Sequence, residues 1–186
     1  MEELTLLGER AVQAKYELQR MTTEKKNEVL EAVAEALIQN TEYLLLENHK
    51  DLERGIANEM NPGLVDRLRL TKERIAGMAE GIRQIVKLPD PVGEILDDYE
   101  AENGLHIVKK RVPMGVIGII YESRPNVTAD AFGLCFKSGS AVILRGGSDA
   151  IRSNMAITKV IQDAVVRKGV DPYVIQLIES TDRSVV

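Results

Sequence analysis

The sequence predicts an α/β protein in which helices precede a partial parallel sheet, with a β-hairpin between them. Two observations carry this prediction. The first half places apolar residues at helical spacing, and the last third alternates short Val- and Ile-rich runs with amphipathic helical stretches. The order of these patterns divides the chain into helices at 1–91, a hairpin at 92–112 and a βαβαβ unit at 113–186.

Three amphipathic helices are predicted in the first half. Each follows residues that can cap a helix, and the last helix ends before Pro89 and Pro91, where a domain boundary is most plausible. The capping residues are Thr22 or Thr23, Asn40 or Thr41, and Thr71. The apolar stripes that follow them are Leu30, Val33 and Leu37; Leu45, Leu52 and Ile56; and Ile75, Met78, Ile82 and Ile85.

A hairpin is predicted after the helices. Apolar runs at 92–96 and 105–112 flank a polar segment that ends in Asn103-Gly104, and this pair favours a tight turn. Pro113 closes the second run, so this strand is expected at an edge or outside the main sheet.

Three parallel strands are predicted at 115–121, 140–144 and 173–178. Their nearly continuous apolar character is typical of strands that are covered on both faces. A helix at 128–138, closed by Gly139, joins the first two strands. A second helix, capped by Ser148 or Asp149 and ended by Gly169, joins the last two.

Composition excludes several classes of function. With 44% hydrophobic and 28% charged residues, the chain has the profile of a soluble globular protein. A net charge of -5 without a dense basic tract argues against nucleic acid or an anionic membrane as a partner. No apolar run approaches the roughly 18 residues of a membrane span, and the acidic start differs from a signal peptide, so a cytoplasmic location is expected.

Neither a disulfide nor a metal site is expected. Cys135 is the one cysteine, and two histidines give little scope for a metal cluster. Cys135 lies between Leu134 and Phe136 in a predicted helix, without a His or Lys at helical spacing to stabilise a thiolate. We therefore interpret Cys135 as a core residue rather than a nucleophile.

Three polar loops are the candidates for function. Ligands of open parallel sheets bind at the carboxyl ends of the strands, where this chain has ESRPNV at 122–127, RGGS at 145–148 and ESTDRS at 179–184. In the second loop, Arg145, Gly146, Gly147 and the cap residue Ser148 can cradle an anion or a ribose. Turn geometry alone is the commoner reason for two glycines at such a position.

The first loop also leaves two interpretations open. The guanidinium of Arg124 can clamp a carboxylate or a phosphate. The amide of Asn126 can donate to a developing oxyanion, or it can cap the following helix.

A long segment resembles a known family. Residues 111–150 read RVPMGVIGIIYESRPNVTADAFGLCFKSGSAVILRGGSDA, and they are preceded by ENGLHIVKKR and followed later by ESTDRS. These motifs resemble the gamma-glutamyl phosphate reductases of the aldehyde dehydrogenase superfamily. The resemblance implies an aldehyde dehydrogenase-like fold with a Rossmann-like unit for NADPH. It also implies reduction of L-glutamyl 5-phosphate to L-glutamate 5-semialdehyde and phosphate in proline biosynthesis.

The same resemblance implies roles for individual residues. Asn126 becomes the oxyanion donor and Arg124 a substrate anchor. Arg145 and Ser148 become cofactor contacts, with Gly146 and Gly147 allowing a close backbone approach. Residues 181–183 match the third loop of the family, without a role that transfers. In the family a cysteine thiolate displaces phosphate to form a thioester that hydride then reduces. That cysteine lies downstream in a separate catalytic domain, so we expect it to be absent from this chain.

The resemblance also suggests partners. The hairpin at 92–112 resembles the arm through which subunits of the superfamily associate, which implies a homo-oligomer, and a functional association with glutamate 5-kinase is implied as well. Two alternatives stay open. One is a non-catalytic module for nucleotide binding or oligomerisation. The other is a different aldehyde dehydrogenase, which is disfavoured because YESRPNVT differs from the tryptophan-asparagine loop of those relatives.

Overall fold

The structure is a computed structural model that describes residues 2–180. Five helices come first, followed by a hairpin and a three-stranded sheet with two crossover helices. The helices are α1 (Glu2–Arg20), α2 (Thr23–Gln39), α3 (Thr41–Ala57), α4 (Pro62–Leu68), α5 (Lys72–Lys87), α6 (Asn126–Lys137) and α7 (Ile151–Arg167). The strands are β1 (Ile95–Glu100), β2 (His106–Lys110), β3 (Val116–Ile120), β4 (Ala141–Arg145) and β5 (Ile175–Leu177), with 3₁₀ turns at Ser148–Ala150 and Pro172–Val174.

The sheet has the predicted βαβαβ topology. Its strand order is β3-β4-β5 and all pairs are parallel, with Val116 opposite Ala141 and Leu144 opposite Leu177. Helix α1 packs against β4, while α6 and α7 pack against β4 and β5 and contact α2 and α5. The α/β fold class predicted from the sequence is therefore confirmed, whereas the division at residues 91 and 112 stays a prediction.

Two strands of the parallel sheet differ from the prediction. Residues Tyr173 and Val174 were expected in the last strand but form a 3₁₀ turn, because the Asp171 carboxylate accepts a hydrogen bond from the Tyr173 amide at 2.7 Å. Strand β3 is half-exposed rather than covered on both faces, and Ile120 is 65% exposed. Its position at one side of the described sheet accounts for this exposure.

Two of the predicted helix caps are confirmed. Thr22 and Thr71 cap α2 and α5, as their side chains accept hydrogen bonds from the amides of Lys25 and Arg74 at 3.3 and 3.2 Å. The expected cap of α3 by Asn40 or Thr41 is wrong. Both side chains donate backward to carbonyls of α2, because a single residue separates the two helices.

The buried face of α3 is rotated from the predicted stripe. The stripes of α2 and α5 are buried as expected. In α3, however, Ile56 is 60% exposed, and Asn48 and Asp51 are buried beside Leu52. These two polar side chains have hydrogen-bond partners across the interface, which a pattern of apolar residues cannot show. Helices α1 and α4 were not predicted.

The hairpin forms around the predicted Asn103-Gly104 turn. The Ala101 amide donates to the Leu105 carbonyl at 2.8 Å, and Gly104 adopts a positive φ of 79°. The first strand, however, covers Ile95–Glu100 instead of 92–96. Every residue of both strands is exposed, so the polar residues of the sequence DDYE lie in a strand without any cost of burial.

A buried ion pair ties the base of the hairpin to α2. Lys26 is 1% exposed, and its Nζ lies 2.8 Å from Oδ2 of Asp90. The same carboxylate accepts hydrogen bonds from the Thr23 hydroxyl at 3.0 Å and the Val92 amide at 2.9 Å. Burial raises the pKa of Asp90, but the hydrogen bonds and the Lys26 charge outweigh it, and the pKa is lower than usual. The carboxylate thus holds the proline segment in place.

We expect Asp90→Asn to destabilise the protein by about 3 kcal/mol at pH 7, because it leaves the Lys26 charge buried without a counter-ion. The lowered pKa of Asp90 stabilises the fold above the unfolded pKa of about 4 and loses that effect as the pH falls through the folded pKa. Urea unfolding should therefore show the difference from wild type shrinking below about pH 4. Asp163→Asn, at the exposed Lys159 pair, is the control; an equal loss there would contradict the prediction.

Candidate functional site

A cleft of about 450 Å³ lies at the carboxyl ends of the strands, and we call it the strand-end cleft. Residues from all three predicted loops line it, because parallel strands end at the same edge of a sheet. Its polar lining includes Ser123, Arg124, Arg145, Gly146, Gly147, Ser148 and Ser180, and its apolar lining is Met60, Leu64 and Ile151. The structure therefore gathers five of the six predicted site residues. Residues 181–183 lie outside the described part of the chain.

The two glycines after β4 are required by close packing of the chain itself. A Cβ on Gly146 would lie 2.2 Å from Nδ2 of Asn154 and 3.1 Å from the Tyr121 ring. A Cβ on Gly147 would lie 2.5 Å from Oγ of Ser123. Neither glycine has a positive φ, so close approach rather than turn geometry explains them. A close approach to a bound cofactor stays a prediction.

A distant carboxylate caps α7. Ser148 and Asp149 begin a 3₁₀ turn and make no side-chain cap, so their predicted capping role is wrong. Asp51 of α3 supplies the cap instead. Its Oδ2 accepts from the Ser153 amide at 2.8 Å and the Ser153 hydroxyl at 2.7 Å, and its Oδ1 accepts from the Arg152 amide at 3.3 Å. Burial raises the pKa of Asp51 despite these hydrogen bonds.

Arg54 holds the loop after β4 from the same helix. Its Nη2 lies 2.8 Å from Oδ1 of Asp51 and donates to the carbonyls of Ser148 and Asp149 at 2.9 and 3.0 Å. From the opposite side, the Ser123 hydroxyl donates to Asp149 at 3.2 Å. The loop of the strand-end cleft is therefore fixed on two sides. The sequence analysis missed Asp51 and Arg54. Their i, i+3 spacing on one face of a predicted helix could have indicated an ion pair beside the core.

A buried hydrogen-bonded chain supports the loop from below. The hydroxyls of Tyr121 and Thr128 lie 2.7 Å apart, and Thr128 donates to Oδ1 of Asn154 at 3.1 Å. Burial raises the pKa of Tyr121 to about 12, so its phenol stays neutral. Within residues 2–180, Nδ2 of Asn154 has no partner, and this buried donor lies beside Gly146.

A second cleft of about 480 Å³ adjoins the first, and we call it the arginine cleft. It lies between α4, α5 and the start of α6. Its lining consists of Asp66, Arg67, Arg69, Leu70, Arg74, Gly77, Met78, Arg124, Pro125, Asn126 and Asp130. Arg67 and Arg124 line both clefts, so they form a shared wall.

Asn126 lies in the arginine cleft, apart from the other predicted site residues. Its interpretation as a helix cap is wrong, because Pro125 holds the cap position and the Asn126 side chain reaches forward. Its Nδ2 donates to Oδ2 of Asp130 at 3.1 Å. Burial raises the pKa of Asp130, and the hydrogen bond from Asn126 opposes that rise.

Cys135 is a core residue, as predicted. It is 5% exposed, and burial raises the pKa of its thiol to about 11. A thiol with this pKa is almost entirely protonated at neutral pH, and with so little exposure it lacks both properties of a reactive cysteine.

Two further classes of feature are missing from the described chain. Within residues 2–180, no group of three or more His, Cys, Asp or Glu side chains is placed to hold a metal ion. Nor does any helix in that range have the length and apolar character needed to cross a membrane.

Comparison with known proteins decides the family. Residues 2–186 match the sequence profile of the aldehyde dehydrogenase family. The chain belongs to this family. Aldehyde dehydrogenases use NAD or NADP, so the strand-end cleft lies in a protein of a nicotinamide-dependent family.

Within the aldehyde dehydrogenase family, the similar proteins share one name. The chain is 54% identical to a gamma-glutamyl phosphate reductase of Lachnospira eligens and 50% identical to one of Clostridium botulinum, with all of the chain covered in each case. It covers 45% of each relative's length. A crystal structure of gamma-glutamyl phosphate reductase from Thermotoga maritima matches with a TM-score of 0.95 and 41% identity, over 98% of this chain and 44% of that one. The predicted family is thus confirmed.

We expect Gly146→Ala to destabilise the protein by roughly 1–3 kcal/mol, because the new methyl group would displace Asn154 or Tyr121. Gly8→Ala is the matched control, since its Cβ meets no atom within 4 Å in the interior of α1. That change should stabilise the protein by about 0.5–1 kcal/mol. Thermal unfolding measures both effects, and a stable Gly146→Ala variant would contradict the packing argument.

Proposed function

We propose that this chain is the nucleotide-binding, amino-terminal part of a gamma-glutamyl phosphate reductase. The full-length enzyme would reduce L-glutamyl 5-phosphate to L-glutamate 5-semialdehyde and phosphate with NADPH, in proline biosynthesis. The observation that carries this proposal is the 50% or higher identity, over the entire chain, to relatives of that name. Two adjoining clefts support it by offering separate places for cofactor and substrate: the strand-end cleft and, beside it, the arginine cleft.

The strand-end cleft suits a dinucleotide. Its volume of about 450 Å³ falls in the usual range for ligand sites. Met60, Leu64 and Ile151 offer an apolar wall for a base, and the Arg145 guanidinium and the Ser148 hydroxyl offer donors for a ribose. The charge of Arg145 also favours the 2'-phosphate of NADPH over NAD. When bound, NADPH supplies the hydride of the reduction.

Substrate binding is proposed for the arginine cleft, at Arg124 and Asn126. The Arg124 guanidinium binds an anionic group of the substrate. The Asn126 amide nitrogen carries two N–H groups, so one can hold Asp130 while the other donates to the carbonyl oxygen where negative charge develops.

The proposed reaction needs a nucleophile that the described residues do not offer. Cys135 is buried in the core, and burial raises the pKa of its thiol. We therefore assign the thiolate to a cysteine of the full-length protein outside this sequence, as the family resemblance implies. The assignment is consistent with the length of the relatives, because the chain spans less than half of them. The two alternatives receive less support. No observation favours a module without catalysis, and the high-identity relatives described above are not named as other aldehyde dehydrogenases.

The hairpin is proposed as the subunit contact. It exposes a set of apolar side chains, and its two strands pack mainly against each other. Exposed apolar side chains grouped in this way are typical of protein interfaces. The set includes Ile95, Tyr99, Leu105, Ile107 and Val108. The association with glutamate 5-kinase and the cytoplasmic location stay predictions from the resemblance.

We expect the natural full-length protein to oxidise NADPH only when L-glutamyl 5-phosphate is present, and to release phosphate in equal amount. Arg145→Gln should raise the KM for NADPH roughly tenfold by removing a charged hydrogen bond. Arg167→Gln, an exposed arginine at the end of α7, is the control and should leave KM unchanged. Absorbance at the NADPH band and a phosphate assay measure the reaction. A wild-type protein without substrate-dependent oxidation would contradict the proposed function.

We expect the double variant Tyr99→Glu/Ile107→Glu to dissociate the oligomer, because it places two charges at a cross-strand pair in an apolar contact. Val166→Glu on α7, also an exposed apolar position, is the control. Light scattering after size-exclusion chromatography gives the mass of each variant. If the wild type and the hairpin variant have the same molar mass in solution, the hairpin is not the subunit contact.

A further inference from the structure

The arginine cleft contains three guanidinium groups that are available to a ligand. Arg74 is already engaged, because it donates to the Arg69 carbonyl at 2.7 Å and lies 3.2 Å from both carboxylate oxygens of Asp66. Within the described residues, the side chains of Arg67, Arg69 and Arg124 form no hydrogen bond or ion pair. All three are exposed and line the same cleft.

The backbone around Arg69 is rigidly held. The buried Asn48 side chain accepts a hydrogen bond from the Leu70 amide at 2.8 Å and donates one to the Leu68 carbonyl at 2.9 Å. These two hydrogen bonds fix the backbone on both sides of Arg69. Leu68 and Leu70 are buried while Arg69 is exposed between them. The Arg69 side chain is therefore directed outward, and little backbone ordering is needed when it binds a ligand.

The charge of the arginine cleft favours an anion. Its lining has four arginines and two aspartates, which gives a formal charge of 4 - 2 = +2. Asp66 is neutralised by Arg74, and burial raises the pKa of Asp130. The amino terminus of α6 at Asn126 adds the positive end of a helix dipole.

We infer that Arg67 and Arg69 bind the phosphate of the acyl phosphate substrate. A phosphate carries up to two negative charges and accepts paired hydrogen bonds from guanidinium groups, which matches the charge and the free donors of this cleft. Arg67 also lines the strand-end cleft, so a phosphate held here lies next to the proposed cofactor. The inference rests on the proposed function for the substrate's identity, whereas the phosphate site itself rests on the arginines.

The first test measures binding of inorganic phosphate to the natural full-length protein by calorimetry at low salt. We expect wild type to bind phosphate, and both Arg67→Gln and Arg69→Gln to weaken binding roughly tenfold or more. Arg69→Lys should retain part of the affinity, since it keeps the charge but loses the paired donors. Arg167→Gln is the control, and circular dichroism confirms that each variant is folded. Two results would overturn the inference. One is an unchanged phosphate affinity in folded Arg67→Gln and Arg69→Gln. The other is that wild type binds L-glutamate more tightly than phosphate and that Arg69→Gln weakens the binding of L-glutamate.

The second test separates this inference from the proposed function. In the reductase assay, Arg69→Gln should raise the KM for L-glutamyl 5-phosphate roughly tenfold and change the KM for NADPH less than about twofold. If wild type reduces the substrate but Arg67→Gln and Arg69→Gln keep its KM, the phosphate site is wrong and the proposed function stands. If phosphate binds through Arg69 but L-glutamyl 5-phosphate is not reduced, the site stands and the proposed function is wrong.

Discussion

Two buried polar residues of α3 fix its position against α7 and against the segment between α4 and α5. Asn48 and Asp51 lie one turn apart, and both hydrogen-bond to Ser153 at the start of α7. Asn48 also holds the segment between α4 and α5, while Asp51 accepts a hydrogen bond from Arg54. Buried polar groups are stabilising only when their partners are in place, so these contacts fix one relative position of the helices. Because both clefts are built on elements that α3 holds, their shapes depend on this contact.

The sequence was sufficient for features with local causes. Runs of β-branched residues predicted the three parallel strands, and Thr22 and Thr71 predicted two helix starts, because each signal lies within a few residues of its effect. The cap of α7 could not be predicted in this way, since its carboxylate is about a hundred residues distant. The first hairpin strand was misplaced for a different reason. A strand that is exposed on both faces leaves no alternation of apolar and polar residues to detect.

The sequence also predicted only part of the candidate site. Topology alone brought Arg145 to Ser148 together with Arg124, because loops after parallel strands meet at one edge. The separation of Asn126 into a neighbouring cleft depends on where α6 begins, which a sequence pattern fixes only to within a few residues. Arg67 and Arg69 gave no signal. Helix α4 has seven residues, which is about two turns and too short to show a repeated apolar stripe, and Arg69 lies just after its end. Basic residues are also ordinary on a surface.

The contact between α3 and α7 also has a consequence for the order of folding. Asn48 and Ser153 are 105 positions apart, so their hydrogen bond closes a long loop and forms late relative to the helices. During synthesis the helices emerge first, and the carboxylate of Asp51 stays hydrated until α7 arrives. Helices α2 and α3 therefore complete their packing only when α7 is present, because both contact it. Both clefts would take shape in one late step, when the start of α7 docks on α3.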